Sequence, residues 1–137
     1  MDGSTDRALA VSATIATLLG MRAVRVPGER RALYHAAASV AANYLVTLEW
    51  VAEELAASCG ITRAELLPLA RSARERWGDA GMPAALTGPI ARGDDATVAR
   101  QRAAVAAARP ELLAVFDVMT DATRLALHRT RGAEGAA

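Results

Sequence analysis

The stretch Ala85-Leu-Thr-Gly-Pro-Ile-Ala-Arg-Gly-Asp-Asp95 lies between two regions of strong helical pattern, and its reading decides what kind of domain this is. Gly88, Pro89 and Gly93 free or fix the backbone at defined points, so the segment reads as a shaped turn rather than a linker. It carries one hydroxyl, Thr87, and one guanidinium, Arg92, while Asp94 or Asp95 is placed to cap the helix that follows. Turns held by helices at both ends are where binding residues gather. For Thr87 the structural alternative is a local turn hydrogen bond, and for Arg92 a solvated salt bridge.

Downstream of the turn the pattern predicts a helix over roughly 95–108 and another from Pro110, a residue suited to a first helical position, to about Arg131. Leu112, Phe116, Met119, Thr123 and Leu127 share one face of that last helix and read as ordinary core. Upstream, Thr62-Arg-Ala-Glu65 is a capping box that opens a helix running to about Trp77, with a bend at Pro68 and a loop over Gly78–Pro83. Residues 29–59 make one long helix, or two joined at a kink, ending at Gly60. Ala32–Leu48 is free of formal charge, yet Tyr34, His35, Ser39, Asn43, Tyr44 and Thr47 make it costly in lipid and short of a full span. It reads as the buried central helix of a soluble domain.

The N-terminal residues differ in kind. Ser4 is a suitable N-cap, Leu9, Ala13, Ala16 and Leu19 follow at helical spacing, and Gly20 stops the helix. Met21-Arg-Ala-Val-Arg-Val26 then reads as a short strand closed by Pro27-Gly28. No partner strand is legible elsewhere, and one strand cannot satisfy its own ladder. It therefore needs an outside partner: the rest of a doubly wound domain, or a second copy of this chain.

Composition bounds the function. The 137 residues fit one domain, hydrophobic content is 53% with alanine in the lead, and aromatics make up only 4%, which favours close helix packing. All 16 basic residues are arginine, as a GC-rich codon usage produces, and the net charge of +1 with interleaved signs argues against a nucleic-acid surface. A helical DNA-binding regulator is thereby disfavoured. Cys59 alone excludes an internal disulfide, fits a reducing cytoplasm, and reads as a small buried hydrophobe at a helix end. No signal peptide, Gly-rich nucleotide fingerprint or P-loop is present. Two histidines and one cysteine write no zinc pattern, so no metal is expected. Glu53-Glu54 reads as a solvated helix face.

The charge-free helix nevertheless carries a polar stripe. His35, Ser39, Asn43 and Thr47 recur at intervals of four, along one drifting side. Such groups are expensive to bury without partners, so they meet other polar groups, water or a ligand. The structural alternative has Ser39 and Thr47 bonding their own helix carbonyls while His35 and Asn43 tie helices together.

At Leu33-Tyr-His-Ala-Ala-Ala38, Ala42-Asn-Tyr-Leu45 and Leu86-Thr-Gly-Pro-Ile-Ala-Arg-Gly-Asp94, the chain resembles a bacterial family. Its members are NAD(P)-dependent oxidoreductase-like proteins in which a Rossmann-like domain precedes a C-terminal helical domain of unknown function. They look like relatives of ketopantoate reductases, pyrroline-carboxylate reductases and 6-phosphogluconate dehydrogenases. The resemblance spans Ser4 to about Leu127. It implies a mainly α fold, a helical bundle of the 6-phosphogluconate dehydrogenase C-terminal-like type, preceded by one helix and one short strand left from a Rossmann-like domain. The corresponding division is residues 1–28 for that remnant, 29–131 for a helical substrate and dimerisation domain, and 132–137 for a disordered tail.

The resemblance also implies that His35, Asn43, Thr87 and Arg92 face substrate. Arg92 would grip a carboxylate, and His35 or Asn43 would donate to the carbonyl that becomes an alkoxide, with Ser39 supporting. Many relatives have serine where this chain has Ala42. NAD(P) is implied for the complete enzyme, yet the cofactor-binding half is not encoded in this sequence. The expectation is the substrate-side and dimerisation domain of a reductase of a 2-oxo acid or similar small carbonyl compound. It would be cytoplasmic, homodimeric, and inactive without a cofactor-binding partner, the chain being a separately encoded subunit that pairs with a Rossmann-like one, a truncated gene product, or a helical domain retained for association. The alternative is a non-catalytic helical dimerisation or interaction module.

Overall fold

A computed structural model describes residues 5–134, and helix dominates it, with no strand among the described residues. The chain divides into two compact units, residues 1–46 and 47–137.

The first unit opens with α1, Asp6–Leu18. Ser4 lies outside the described residues, and the cap is Thr5, whose hydroxyl accepts from the Ala8 amide at 3.3 Å. The helix closes in a Schellman turn at Gly20, where Met21 N–H donates to the Ala16 carbonyl at 2.8 Å. Residues 21–27 then run without helix and without a hydrogen-bonded ladder among the described residues. A single 3₁₀ turn, Gly28–Arg30, leads into α2, Arg31–Ser39, and a π turn over Val40–Tyr44 interrupts the helix. No residue from 5 to 46 is buried.

That last point corrects an expectation. The charge-free stretch Ala32–Leu48 was expected to form a buried central helix, yet Leu33, Tyr34, Val40 and Tyr44 are all 57–72% exposed. Periodicity identifies an apolar face; it does not say which surface covers it. In this chain, α1 and residues 21–27 do not.

The second unit holds most of α3, Leu45–Ala57, then α4, Arg63–Ala85; α5, Pro89–Arg92; α6, Asp95–Ala108; and α7, Leu113–Glu134. The capping box at the start of α4 forms as read: Thr62 N–H donates to the Glu65 carboxylate at 2.9 Å, and the Thr62 hydroxyl accepts from Ala64. The α3–α4 corner is tied by Arg63, which grips Glu53 with two nitrogens, so Glu53 belongs to an ion pair. Helix α4 outruns the expected end at Trp77. Its backbone breaks at Gly81 (φ 72°, ψ 179°) and keeps helical dihedrals at Pro68. A proline near a helix start forfeits one hydrogen bond but already has the right φ, whereas extended backbone at positive φ ends helical geometry outright.

Helix α5 packs on both α6 and α7, and α6 packs on α7 and on the 3₁₀ turn Pro110–Leu112 that opens it. Val98, Val105 and Leu112 are buried there, with Thr120, while Val51 is buried on α3. Phe116, Thr123 and Leu127 are half-buried, and Met119 is 40% exposed. Arg102 clamps Asp117 through two hydrogen bonds of 2.8 Å, and Arg124 reaches Asp95 at 2.7 Å, fastening α6 to α7 along its length. Helix α7 continues to Glu134, so Gly132 is helical, and 135–137 lie outside the described residues. Cys59, expected to be buried, is exposed in the turn that ends α3. Glycine follows it immediately, so the chain turns outward before the thiol meets the core.

Candidate functional site

The predicted residues fall into two sets. His35, Ser39 and Asn43 share the helical run of the first unit, while Thr87 and Arg92 sit on the shaped turn of the second. His35 and Asn43 are exposed and Ser39 is half-buried. No hydrogen bond joins the Ser39 hydroxyl to its own helix among the described residues, although Thr14 and Thr17 on α1 make such bonds at 3.0 Å.

The π turn changes how these three line up. In an α-helix each four-residue step overshoots a full turn by about 40°. A π turn, with its i→i+5 bonds and about 4.4 residues per turn, rotates four residues to roughly 33° short of a full turn. The step from His35 to Ser39 is α-helical and the step from Ser39 to Asn43 crosses Val40–Asn43 of the π turn. The wider winding offsets the α-helical drift in part, so Asn43 lies nearer the line of His35 than the about 80° of a plain α-helix. Sequence spacing alone predicts a drifting stripe; nothing in a run of Val-Ala-Ala-Asn-Tyr signals the extra residue.

The turn is built by backbone conformation. Gly88 adopts φ 98°, ψ −173°, a region open in practice only to glycine, and this delivers Pro89 to the first position of α5. Gly93 at φ 72°, ψ 22° closes the four-residue helix in the left-handed conformation, with Asp94 N–H donating to the Pro89 carbonyl at 2.9 Å. Asp94 is the cap of α6. Its carboxylate accepts from the Thr97 amide at 3.0 Å and from the Thr97 hydroxyl at 2.7 Å. These two bonds, hydroxyl first, hold its pKa below the ordinary carboxylate value, with the Arg100 and Arg92 guanidiniums adding smaller attractions. Thr87 and Arg92 are both exposed, and no side-chain hydrogen bond or ion pair within 4 Å holds either among the described residues.

Beneath the turn lies an open cleft of ≈ 240 Å³, bounded by Thr87, Pro89, Gln101, Phe116, Met119 and Thr120 among others. Thr120, 8% exposed, is the residue that sequence reading missed. Its four-residue spacing from Phe116 was the available signal, since it places a hydroxyl on the core face of α7. Among the described residues no group of three or more His, Cys, Asp or Glu is placed to hold a metal, and no helix is long and apolar enough to cross a membrane.

These elements define a mainly helical protein with a glycine-shaped, arginine-bearing turn packed on a helix pair. The chain belongs to the family described as a domain of unknown function, DUF2520, whose model matches residues 1–123. No curated protein and no solved structure matches it.

Proposed function

We propose that this chain is the substrate-side and dimerisation domain of an NAD(P)-dependent reductase acting on a 2-oxo acid or similar small carbonyl compound, and that a dinucleotide-binding partner completes it. One observation carries the reading. The first unit buries none of its described residues, and its segment 21–27 lies outside helix with no hydrogen-bonded ladder among the described residues. Large apolar side chains left bare, such as Val11, Ile15, Val24, Tyr34 and Tyr44, mark a surface made to be covered. An open groove of ≈ 690 Å³ between Leu9, residues 24–29 and Tyr34 offers the seat. A Rossmann-like sheet supplies both a strand edge for residues 22–26 and an apolar cover for α1. The resemblance at the Thr-Gly-Pro turn agrees with that partner.

The residues of this chain do not fit the dinucleotide itself. Among the described residues no Gly-rich turn joins a strand to a helix, so the reading assigns the pyrophosphate cradle to the dinucleotide-binding partner. What this chain supplies is substrate binding. Arg92 takes the substrate carboxylate in a two-pronged grip, its guanidinium being held by no other group among the described residues. His35 and Asn43, on the helical run of the first unit, are donors suited to a carbonyl oxygen, with Ser39 as a supporting hydroxyl, while Thr87 is the hydroxyl of the turn that carries Arg92. The remaining bare apolar surface pairs two copies of the chain.

The test is to mix the chain with a separately encoded Rossmann-like subunit and follow oxidation of the reduced cofactor across 2-oxo acids and imines. Turnover that falls at least tenfold in Arg92→Lys through a raised KM supports the reading. A stable complex that is silent across the whole panel refutes the enzymatic part and leaves an interaction module. A chain that stays monomeric by light scattering at high concentration refutes the dimer.

A further inference from the structure

Helix α7 and the turn that opens it carry two stripes. On the core side Leu112 and Thr120 are buried and Phe116 and Leu127 half-buried. On the opposite side Val115, Val118, Ala122 and Leu125 follow at steps of three, four and three, and all are exposed, Val118 by 66% and Leu125 by 56%. No charged residue falls on this second stripe between them. Steps that alternate three and four are the seam of one helix laid along another, apolar at the two positions of each heptad that face the partner.

Extended by one further step of four at each end, the stripe reaches Glu111 and Arg129, both exposed. Arg129 is held by no acidic group within 4 Å among the described residues, and Glu111 has only Arg109, at 4.0 Å. The series of steps therefore reads the same in either direction, with an acid at one end and a base at the other. A surface of that kind is self-complementary, which is the condition for a two-fold interface.

We infer that the outer stripe of α7 is the seam on which a second copy of this chain docks, antiparallel across a two-fold axis. Setting Ala122 of one copy against Val118 of the other brings Val115 against Leu125 and Glu111 against Arg129, each pairing being made twice. The small Ala122 side chain lets the two helices approach closely beside the axis. A parallel arrangement would set Glu111 on Glu111 and Arg129 on Arg129, so the charges select the antiparallel one. Asp121 borders the axis and brings its own counter-ion, Arg124, at 3.8 Å. The inference rests on the dimer part of the function proposed above and on none of its enzymatic part.

The test measures the dimer dissociation constant of the full chain and its variants by sedimentation velocity, with helicity followed by circular dichroism. Val118→Asp changes an exposed residue, so helicity is expected to hold while association weakens at least tenfold. Glu111→Arg and Arg129→Glu are each expected to weaken association at least threefold alone. An equimolar mixture of the two is expected to recover the parent's affinity, because both cross-pairs are then opposite in charge. A parent that remains monomeric overturns the inference together with the dimer reading, and loss of stability in Val118→Asp would then assign the stripe to another segment of the same chain. A dimer whose affinity is unchanged in Val118→Asp overturns the inference and leaves the dimer reading standing. A dimer weakened by Val118→Asp yet indifferent to both charge variants overturns the antiparallel pairing. Should Val118→Asp lose helicity, Leu125→Ser decides in its place, with a loss of at least threefold expected and unchanged affinity overturning the inference.

Discussion

Replacing Gly88 with alanine isolates what the turn's backbone demands. A Cβ built at this position meets nothing within 4 Å, so steric collision contributes nothing and the whole effect lies in φ and ψ. At φ 98°, ψ −173° an L-residue sits in a region that glycine alone occupies readily, and the strain is of the order of 2–3 kcal/mol. Alanine also narrows the unfolded ensemble, which returns about 0.7 kcal/mol. The net expectation is a loss of about 2 kcal/mol, roughly a thirtyfold fall in the folding constant. Gly93 provides the internal control. Its φ 72°, ψ 22° is ordinary left-handed helix, where alanine is penalised by about 1–2 kcal/mol and asparagine by less. Gly93→Asn should therefore stay near the parent while Gly88→Asn falls as far as Gly88→Ala. Urea unfolding with an unchanged m-value measures the global loss. Amide exchange at Arg92 and Asp94, which donate to the Gly88 and Pro89 carbonyls, detects relaxation confined to the turn. A Gly88→Ala protein within about 0.5 kcal/mol of the parent, with both amides equally protected, would refute the argument that this conformation is imposed.

Other expectations follow from the packing and the caps. Leu112→Ala empties a 5%-exposed site where the 3₁₀ turn meets α6, and should cost about 2–4 kcal/mol by calorimetry or urea unfolding. Asp94 has a folded-state pKa below its unfolded value, so its contribution is complete above the unfolded value near 3.8 and drains away as pH falls through the lower folded one. Between pH 5 and pH 2 (roughly that window), Asp94→Asn should therefore lose less stability than the parent, and equal slopes would count against the cap. Deleting Ala42 should turn the π turn into plain α-helix, leaving His35 and Asn43 seven residues and about 20° apart, still on one side. Unchanged or raised helicity by circular dichroism is expected, and collapse of the helix would contradict the description of the turn as a one-residue insertion.

Local rules were legible because local chemistry enforces them. The Thr62–Glu65 box, the Asp94 cap, the helix over 95–108 and the stop at Gly60 each depend on a few neighbouring residues, and each stands where the pattern put it. Departures arise where the deciding partner is distant or is a matter of backbone register. Helix α4 runs past Trp77 and breaks at Gly81, since a break needs a dihedral that helix cannot contain. Cys59 and the Ala32–Leu48 face were misjudged because apolar spacing names a face and not its cover. At the candidate site, residue types were readable and mutual placement was not. The π turn, which sets where Asn43 points relative to His35, has no composition of its own, and Thr120 was hidden among the apolar periodicity of α7.

The two units answer the problem of unsatisfied groups in opposite ways. In the second, several helix ends and corners are closed from within. Thr62 caps α4, Asp94 caps α6, Arg63 holds Glu53, and Arg102 and Arg124 fasten α6 to α7. A small apolar core then suffices to fix the Thr87–Arg92 turn, because α5 is only four residues long and α6 and α7 both brace it. In the first unit α1 is capped equally well at Thr5 and Gly20, yet nothing of comparable reach covers its faces. Good capping with bare faces is the signature of helices whose stability is supplied by a second surface, since isolated helices of 9–13 residues are marginal in water. The polar stripe therefore lies on the part of the chain that assembly must order, while the arginine turn lies on the part that orders itself. Under the proposed function, a partner that covers these faces would do more than add a cofactor: it would fix the helix that carries His35 and Asn43, and binding of the partner and competence for substrate would be one event.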